Sequence, residues 1–228
     1  MITDASEVPR PPTDPTEAPR ERLRLDPQAA VTVLTTEHFN LQTARASTIS
    51  ETNGRASIFL SSVSAGLVAL AFAAQTSRAA LYTLGLVLLP VLLFLGLVTF
   101  ERTLQASIDD TVYLQRINRI RRFYVEALPA LAAHIARPAA TDDVAAVLRQ
   151  EGFRPGRWQL FLSVPGALGV INSVLAGATV AMLAAALSGS NLWVAVPIGL
   201  IGFAVGVPFH QRYQMTARLR GTRSLDGT

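Results

Sequence analysis

Apolar residues along this chain are gathered into two long blocks, residues 56–100 and 160–209, which alternate with polar segments. Neither block contains Asp, Glu, Lys or His, and Arg78 is the one charged residue within them. A helix rises about 1.5 Å per residue, so about 20 apolar residues cross a hydrocarbon core about 30 Å thick. Each block is long enough for two crossings. The pattern therefore predicts an all-α membrane protein with four transmembrane helices.

Short polar interruptions divide each block into two predicted spans. The interruptions lie at residues 76–78 and 188–191, and each is short enough to be a tight turn. A tight turn makes consecutive helices antiparallel neighbours, so we expect two helical hairpins. The four predicted spans cover about residues 56–75, 79–100, 164–187 and 192–209.

The polar segments beside the first block have the composition of helices rather than of loops. Residues 37–55 contain no proline and run directly into the first span, and residues 101–135 continue the second span with apolar side chains three or four positions apart. That spacing is the repeat of one helix face. We expect two continuous helices that extend from the spans into the cytoplasm, the first beginning after a cap at Thr35 or Thr36.

The remaining segments are expected to be less regular. Residues 1–30 carry six prolines, mixed charges and no apolar run of signal-peptide length, which is typical of a disordered tail. The predicted regions are a disordered cytoplasmic tail over 1–33, a first hairpin with its extensions over 34–136, a cytoplasmic connector over 137–159, a second hairpin over 160–211 and a basic cytoplasmic tail over 212–228.

The distribution of arginine predicts the orientation of the helices. All 20 Lys and Arg positions of the chain are arginines, and the two turns hold one of them, Arg78. The other nineteen lie outside the apolar blocks. Loops rich in basic residues stay in the cytoplasm, so both termini and the central segment are expected inside and both turns outside. The predicted location is the inner membrane of a bacterial cell.

Composition excludes some chemistry. There is no cysteine, so disulfides, thiolate metal sites and cysteine nucleophiles are excluded. The net charge of +4 comes from residues that flank apolar spans, which favours anionic lipid headgroups over nucleic acid as partners. The three histidines, His38, His134 and His210, lie in ordinary sequence surroundings. We therefore expect no catalytic residues, no cofactor and no metal site.

Small residues recur at intervals of about four positions in three of the predicted spans. Such faces let helix backbones approach closely and gain dispersion contacts that lipid does not supply. Packing within the chain is the first interpretation, and self-association through one such face is the alternative. The predicted packing residues are Ser62, Ala65, Gly66, Ala69, Gly169, Ser173, Gly177, Gly202 and Gly206.

Asn172 is the most polar residue well inside a predicted span. An amide in hydrocarbon needs hydrogen-bond partners, so we expect Asn172 to face another helix, with a substrate contact as the alternative. No carboxylate lies within the spans, although ion-coupled transporters usually keep ionisable groups there. Ion-coupled transport and intramembrane proteolysis are therefore disfavoured, whereas a passive pore lined by Ser, Thr and Asn stays open.

The helix that follows the second span carries the densest basic cluster of the chain. A solvated face with scattered ion pairs is the first interpretation of this cluster. Binding of anionic lipid headgroups or of a protein partner is the functional alternative. The four residues are Arg116, Arg119, Arg121 and Arg122.

An apolar strip shares this helix with the basic cluster. The strip is expected to pack on the helix that precedes the first span, with a partner or a second copy of the chain as the alternative cover. Its members are Ile117, Ile120, Tyr124, Leu128, Leu131 and Ile135.

Three stretches carry a resemblance to uncharacterised actinobacterial multi-pass integral membrane proteins. They are Leu-Thr-Thr-Glu-His-Phe-Asn-Leu-Gln-Thr-Ala-Arg from Leu34, Asn-Gly-Arg-Ala-Ser from Asn53 and Arg-Ile-Arg-Arg-Phe-Tyr from Arg119. The resemblance covers about residues 34–125 and implies a membrane location but no activity. In architecture alone, a membrane hairpin with cytoplasmic helices is also similar to the two-span effector domains of bacterial conflict systems. This chain differs from those in having two further spans and no recognisable sensor domain.

The sequence favours a non-enzymatic membrane protein whose cytoplasmic helices have a structural, assembly or interaction role. The alternative is an oligomeric pore-forming or membrane-disrupting effector, and a passive channel, transporter or enzyme comes third. The expected partners are the lipid bilayer, its anionic headgroups and further copies of the chain.

The orientation can be tested on a background that has no native cysteine. A cysteine at Ser77 should react with a membrane-impermeant thiol reagent added to intact cells, because the first turn is expected outside. A cysteine at Ser224 should react only after the cells are opened. Labelling of Ser224→Cys but not of Ser77→Cys in intact cells would contradict the predicted orientation.

Overall fold

The computed structural model describes residues 27–127, 129–130 and 161–223. Its four helices are α1 (Pro27–Thr76), α2 (Arg78–Ala127), α3 (Val164–Leu187) and α4 (Leu192–Arg223). The described residues contain no strand, which confirms the all-α class. All four helices are long and apolar enough to cross a membrane, as predicted. The connector predicted over 137–159 and the strip residues Leu128, Leu131 and Ile135 lie outside the described residues.

The first helix starts earlier than the cap predicted at Thr35 or Thr36. It begins at Pro27, a position that suits proline because the first helical N–H has no acceptor within the helix. The Thr36 hydroxyl donates to the Thr32 carbonyl at 2.9 Å, so it lies inside the helix instead of capping it. By its internal contacts the chain forms two units, Met1–Asn40 and Leu41–Thr228, and the second unit contains the core.

The turn between α1 and α2 consists of one residue, Ser77, within the segment where the sequence predicts it. The Ser77 hydroxyl accepts a hydrogen bond from the backbone N–H of Ala80 at 3.0 Å and so satisfies one of the free donors at the start of α2. The Thr76 hydroxyl donates to the Phe72 carbonyl at the end of α1. The reversal is therefore stabilised by local hydroxyl groups.

The turn between α3 and α4 uses left-handed backbone. Gly189 and Ser190 have φ values of 67° and 71°, and the second is an unusual conformation for a residue with a side chain. The Tyr82 hydroxyl on α2 donates to Ser190 Oγ at 2.9 Å. Asn191 accepts the backbone N–H of Trp193 through Oδ1 at 3.0 Å, which starts α4. Polar side chains thus stabilise this end of the bundle.

Helices α3 and α4 approach each other closely, because small residues of both helices meet along their contact. A Cβ atom added to Gly177 would lie 2.6 Å from the Gly199 carbonyl oxygen. One added to Gly206 would lie 3.0 Å from Ser173 Cβ, and one added to Gly202 would lie 2.9 Å from Val180 Cγ2. At Gly177 the obstacle is backbone, so a larger side chain there requires the helices to move apart, whereas at Gly202 and Gly206 the neighbouring side chain has to shift.

The core forms where α2 packs on α3, with one aromatic ring from α1. Contacts between α1 and α2 run in opposite directions along the two helices, since Leu70 faces Gly85 and Phe59 faces Gly96. The two helices are therefore antiparallel. The buried core residues are Phe59, Leu89, Leu92, Phe100, Leu104, Leu168 and Leu175.

Two glycine-to-alanine substitutions test the close packing of α3 and α4. Gly177→Ala should destabilise the protein by about 1–3 kcal/mol, because the new methyl group overlaps the Gly199 carbonyl and forces the backbones apart. Gly54→Ala is the matched control, since nothing lies within 4 Å of its new Cβ atom. Thermal unfolding of both variants in the same detergent measures the difference. A Gly177→Ala protein as stable as the wild type would show that the contact is looser than described.

Candidate functional site

Four polar side chains of α3 and α4 are buried among apolar helices, and we call them the buried polar row. They are fully buried, apart from His210, which is 7% exposed. Polar groups are costly to bury in an apolar environment, so a cluster of them is where interior chemistry or specific recognition would be expected. The members are Asn172, Ser173, His210 and Gln214.

The side chain of Asn172 packs against the backbone of α2 at a glycine. A Cβ atom at Gly96 would overlap Asn172 Oδ1, and it would also lie 2.8 Å from Cζ of the Phe59 ring. Within the described part of the chain, neither Oδ1 nor Nδ2 of Asn172 has a hydrogen-bond partner. The predicted contact with another helix is therefore present, but it is a contact of shape and not a hydrogen bond.

The side chain of His210 on α4 packs against α3 and against an aromatic ring of α2. Gly169 leaves room for it, since a Cβ atom at Gly169 would lie 3.1 Å from His210 Cβ. The imidazole meets the Phe100 ring edge to face, with ring centroids 5.0 Å apart and planes at 88°. Its Nδ1 lies 2.9 Å from the Gly206 carbonyl oxygen and 3.4 Å from Ser173 Oγ.

The hydrogen bonds of His210 determine which nitrogen carries its proton. A carbonyl oxygen only accepts, so Nδ1 is protonated and donates to Gly206. The Ser173 hydroxyl donates to the Gly169 carbonyl at 2.7 Å. Nδ1 therefore has no lone pair with which to take a proton from Ser173, and the pair is not arranged as a nucleophile and its base. The remaining nitrogen, Nε2, is buried without a partner among the described residues.

Gln214 ties α4 to the first turn of α3. Its Nε2 donates to Ser163 Oγ at 3.1 Å, and the same oxygen accepts the backbone N–H of Gly166 at 3.2 Å as the cap of α3. The carbonyl oxygen of Gln214 is buried, with no partner in the described segments. One more buried hydroxyl, Thr103 on α2, donates to the Phe100 carbonyl within its own helix.

The buried polar row contains amides, a hydroxyl and an imidazole, but no carboxylate. Acid–base catalysis by paired carboxylates is therefore not available to it, whereas helix–helix specificity and contact with a neutral polar group are. Among the described residues, no three His, Asp or Glu side chains come together in a way that could hold a metal ion.

The sequence indicated Asn172 and Ser173 but missed His210 and Gln214. His210 follows the last residue of the predicted fourth span, and nothing in the hydropathy pattern marks it, because the apolar block ends there. The structure shows that α4 continues through both residues to Arg223. The available signal was their spacing, since Gly206, His210 and Gln214 lie four residues apart and share one helix face.

The predicted packing residues are not equivalent in the structure. Gly66 is buried and faces Leu92, where an added Cβ atom would lie 2.7 Å from Cδ1. Ser62 and Ala69 are partly buried, and Ala65 is exposed. The residues on the α3–α4 contact are Gly169, Ser173, Gly177, Gly202 and Gly206.

The basic cluster lies on α2, whereas the buried polar row belongs to α3 and α4. The side chains of the cluster are partly exposed to solvent. Arg116 and Arg119 are exposed, whereas Arg121 and Arg122 are partly buried, and Arg122 Nε lies 4.0 Å from Glu126 Oε1. The apolar strip beside the cluster is covered where it can be described, since Ile117 and Ile120 are buried.

Comparison of the chain with protein-family models, with curated proteins and with solved structures found no match.

A double-mutant cycle tests the contact between Asn172 on α3 and Gly96 on α2. Gly96→Ala should lower the unfolding temperature, because the methyl group overlaps the Asn172 carboxamide. Adding Asn172→Ala removes the overlapping atom, so the double variant should be more stable than the sum of the two single effects by about 0.5–3 kcal/mol. Thermal unfolding of the two single variants and the double variant provides the measurement. Additive effects would mean that the two residues do not touch.

Proposed function

We propose that the protein is a non-enzymatic four-span membrane protein with a paired helical stalk that serves assembly or partner contact. The stalk consists of residues 41–55 of α1 and 102–127 of α2. The observation that carries the proposal is the unbroken continuation of the apolar part of each helix into its polar part. Because each helix is continuous, a partner that moves the stalk also moves the spans.

The lengths of the helices support a stalk outside the bilayer. α1 and α2 have 50 residues each, which at 1.5 Å per residue makes them about 75 Å long. The hydrocarbon core takes up about 30 Å, so more than half of each helix extends beyond it. α3 has 24 residues and is about 36 Å long, which is close to a single crossing.

An ion pair supports the side-by-side arrangement of the two stalk helices. Arg45 Nε on α1 donates to Asp110 Oδ1 on α2 at 2.7 Å, and both side chains are about three-quarters buried. Residues near the turn, such as Leu70 and Gly85, face each other as well. The proposed architecture is therefore a long first hairpin that continues into the stalk, beside a shorter second hairpin.

The excess of arginine on one side of the spans supports a cytoplasmic stalk and cytoplasmic termini in a bacterial inner membrane. The exposed apolar surface of the spans, which includes Phe72 and Phe94, suits contact with lipid. The hydrogen bonds of Ser173 and His210 support a role without catalysis, because they leave no activated nucleophile.

Photo-crosslinking from two phenylalanines of α2 tests the stalk. Phe123 lies in the stalk and is 42% exposed, and Phe94 lies in the apolar segment and is 69% exposed. With benzoylphenylalanine at Phe123 of the full-length protein, irradiated cells should yield a protein adduct of defined mass. The matched probe at Phe94 should react with lipid and yield no such adduct.

A charge swap shows whether the adduct depends on the paired stalk. Arg45→Asp should weaken the Phe123 adduct by separating the two helices, and Arg45→Asp combined with Asp110→Arg should restore it. Ion flux from purified protein in liposomes distinguishes the alternative function. Flux above that of empty liposomes, with no adduct from Phe123, would contradict the proposal and favour a pore.

A further inference from the structure

The outer face of α4 carries a groove whose lining changes from apolar to basic along the helix. The groove has a volume of about 890 Å³, within the range of about 300–1,000 Å³ that is usual for ligand sites. Among the described residues, its lining comes from α4 alone. The lining begins at Ala204 and ends at Arg220, and it includes Val205 and Phe209 toward the first end and Arg212 and Tyr213 toward the second.

The change from apolar to basic lining occurs where α4 is expected to leave the bilayer. Phe209 is the last residue of the second apolar block, and Val205 and Phe209 are both largely exposed. Arg212 follows three residues later, about 5 Å further along the helix axis. The apolar end of the groove therefore lies against lipid tails, and the basic end lies at the level of the headgroups.

The basic end of the groove has the charge to hold an anion. Arg212 and Arg220 are exposed, and neither makes an ion pair within the described part of the chain. No described carboxylate lines the groove. The neighbouring carboxylate of Glu101 already accepts hydrogen bonds from the Tyr213 hydroxyl at 3.0 Å and from Gln105 Nε2 at 2.9 Å. Guanidinium groups bind phosphate through paired N–H donors, so phosphate is the anion that suits these residues.

We propose that this groove binds an anionic phospholipid, with the phosphate at Arg212 and Arg220 and an acyl chain along Val205 and Phe209. The apolar end argues for a lipid over a free phosphate ion, because an ion would leave that end unoccupied. This site differs from the arginine cluster that the sequence indicated on α2. The inference also goes beyond the stalk and does not depend on it.

Thermal unfolding of the full-length protein in neutral detergent tests the site. Phosphatidylglycerol at saturation should raise the unfolding temperature of the wild type by on the order of 5 °C relative to phosphatidylcholine with the same acyl chains. The variant Arg212→Gln/Arg220→Gln should lose at least half of that shift and keep the unfolding temperature measured with phosphatidylcholine. Arg212→Lys/Arg220→Lys should lose less, because the charge remains.

The matched control is Arg116→Gln/Arg119→Gln, which removes the same charge from two exposed arginines of α2 and should keep the full shift. An equal loss in both glutamine variants would mean that net charge and not a site causes the effect, and a loss in the α2 variant alone would place the site there. Inorganic phosphate at the same concentration should have no effect. A shift with phosphate alone, or no shift with phosphatidylglycerol, would overturn the proposal.

Discussion

The contact between the backbones of α3 and α4 at Gly177 and Gly199 is the constraint on which the interior depends. The helices are long and apolar enough to cross a membrane, and lipid tails are as apolar as their side chains, so in the proposed bilayer the association of α3 with α4 relies on close contact. With the helices this near, Gly206 meets Ser173 and Gly169 meets His210 further along the same contact. The imidazole is buried because the neighbouring backbone leaves it just enough room.

Close approach at a glycine also positions α2 against α3. The Asn172 carboxamide lies directly on Gly96 of α2, where the absence of a side chain leaves room for it. By contrast, α1 meets α2 through large side chains placed on glycines, such as Phe59 on Gly96, and through the ion pair of Arg45 with Asp110. Two kinds of packing thus coexist: a glycine-lined pair of helices around buried polar groups, and a long pair joined by side chains and by one residue of turn.

Much of this arrangement could be predicted from the sequence. The four long apolar helices and both turns follow from the apolar blocks and their polar interruptions, because an apolar run of about 20 residues is typical of a helix that can cross a membrane. Gly177 and Gly206 were identified from the spacing of small residues, although that spacing does not say which helix each of them faces. Ala65 shares the pattern and is exposed, so the pattern alone does not identify a contact.

The rest depended on tertiary contacts that composition does not encode. His210 and Gln214 lie beyond the apolar block, and they are buried only because α4 continues past Phe209 and packs on the start of α3. Thr36 is a residue type that often caps helices. A threonine hydroxyl can also donate to a carbonyl four residues earlier inside a helix, and in α1 the Thr36 hydroxyl donates to Thr32. In both cases the helix continues past the boundary of the hydropathy pattern.

The proposed course of α1, unbroken from the bilayer into the stalk, is tested most directly by a distance between two spin labels. Labels at Thr43→Cys and Gln75→Cys, both exposed, are 32 residues apart, which in one continuous helix corresponds to about 48 Å along the axis. Electron–electron resonance on protein in lipid nanodiscs should show one narrow distribution near that distance. A broad distribution, or one centred well below it, would show that α1 breaks where it leaves the membrane and would contradict the account.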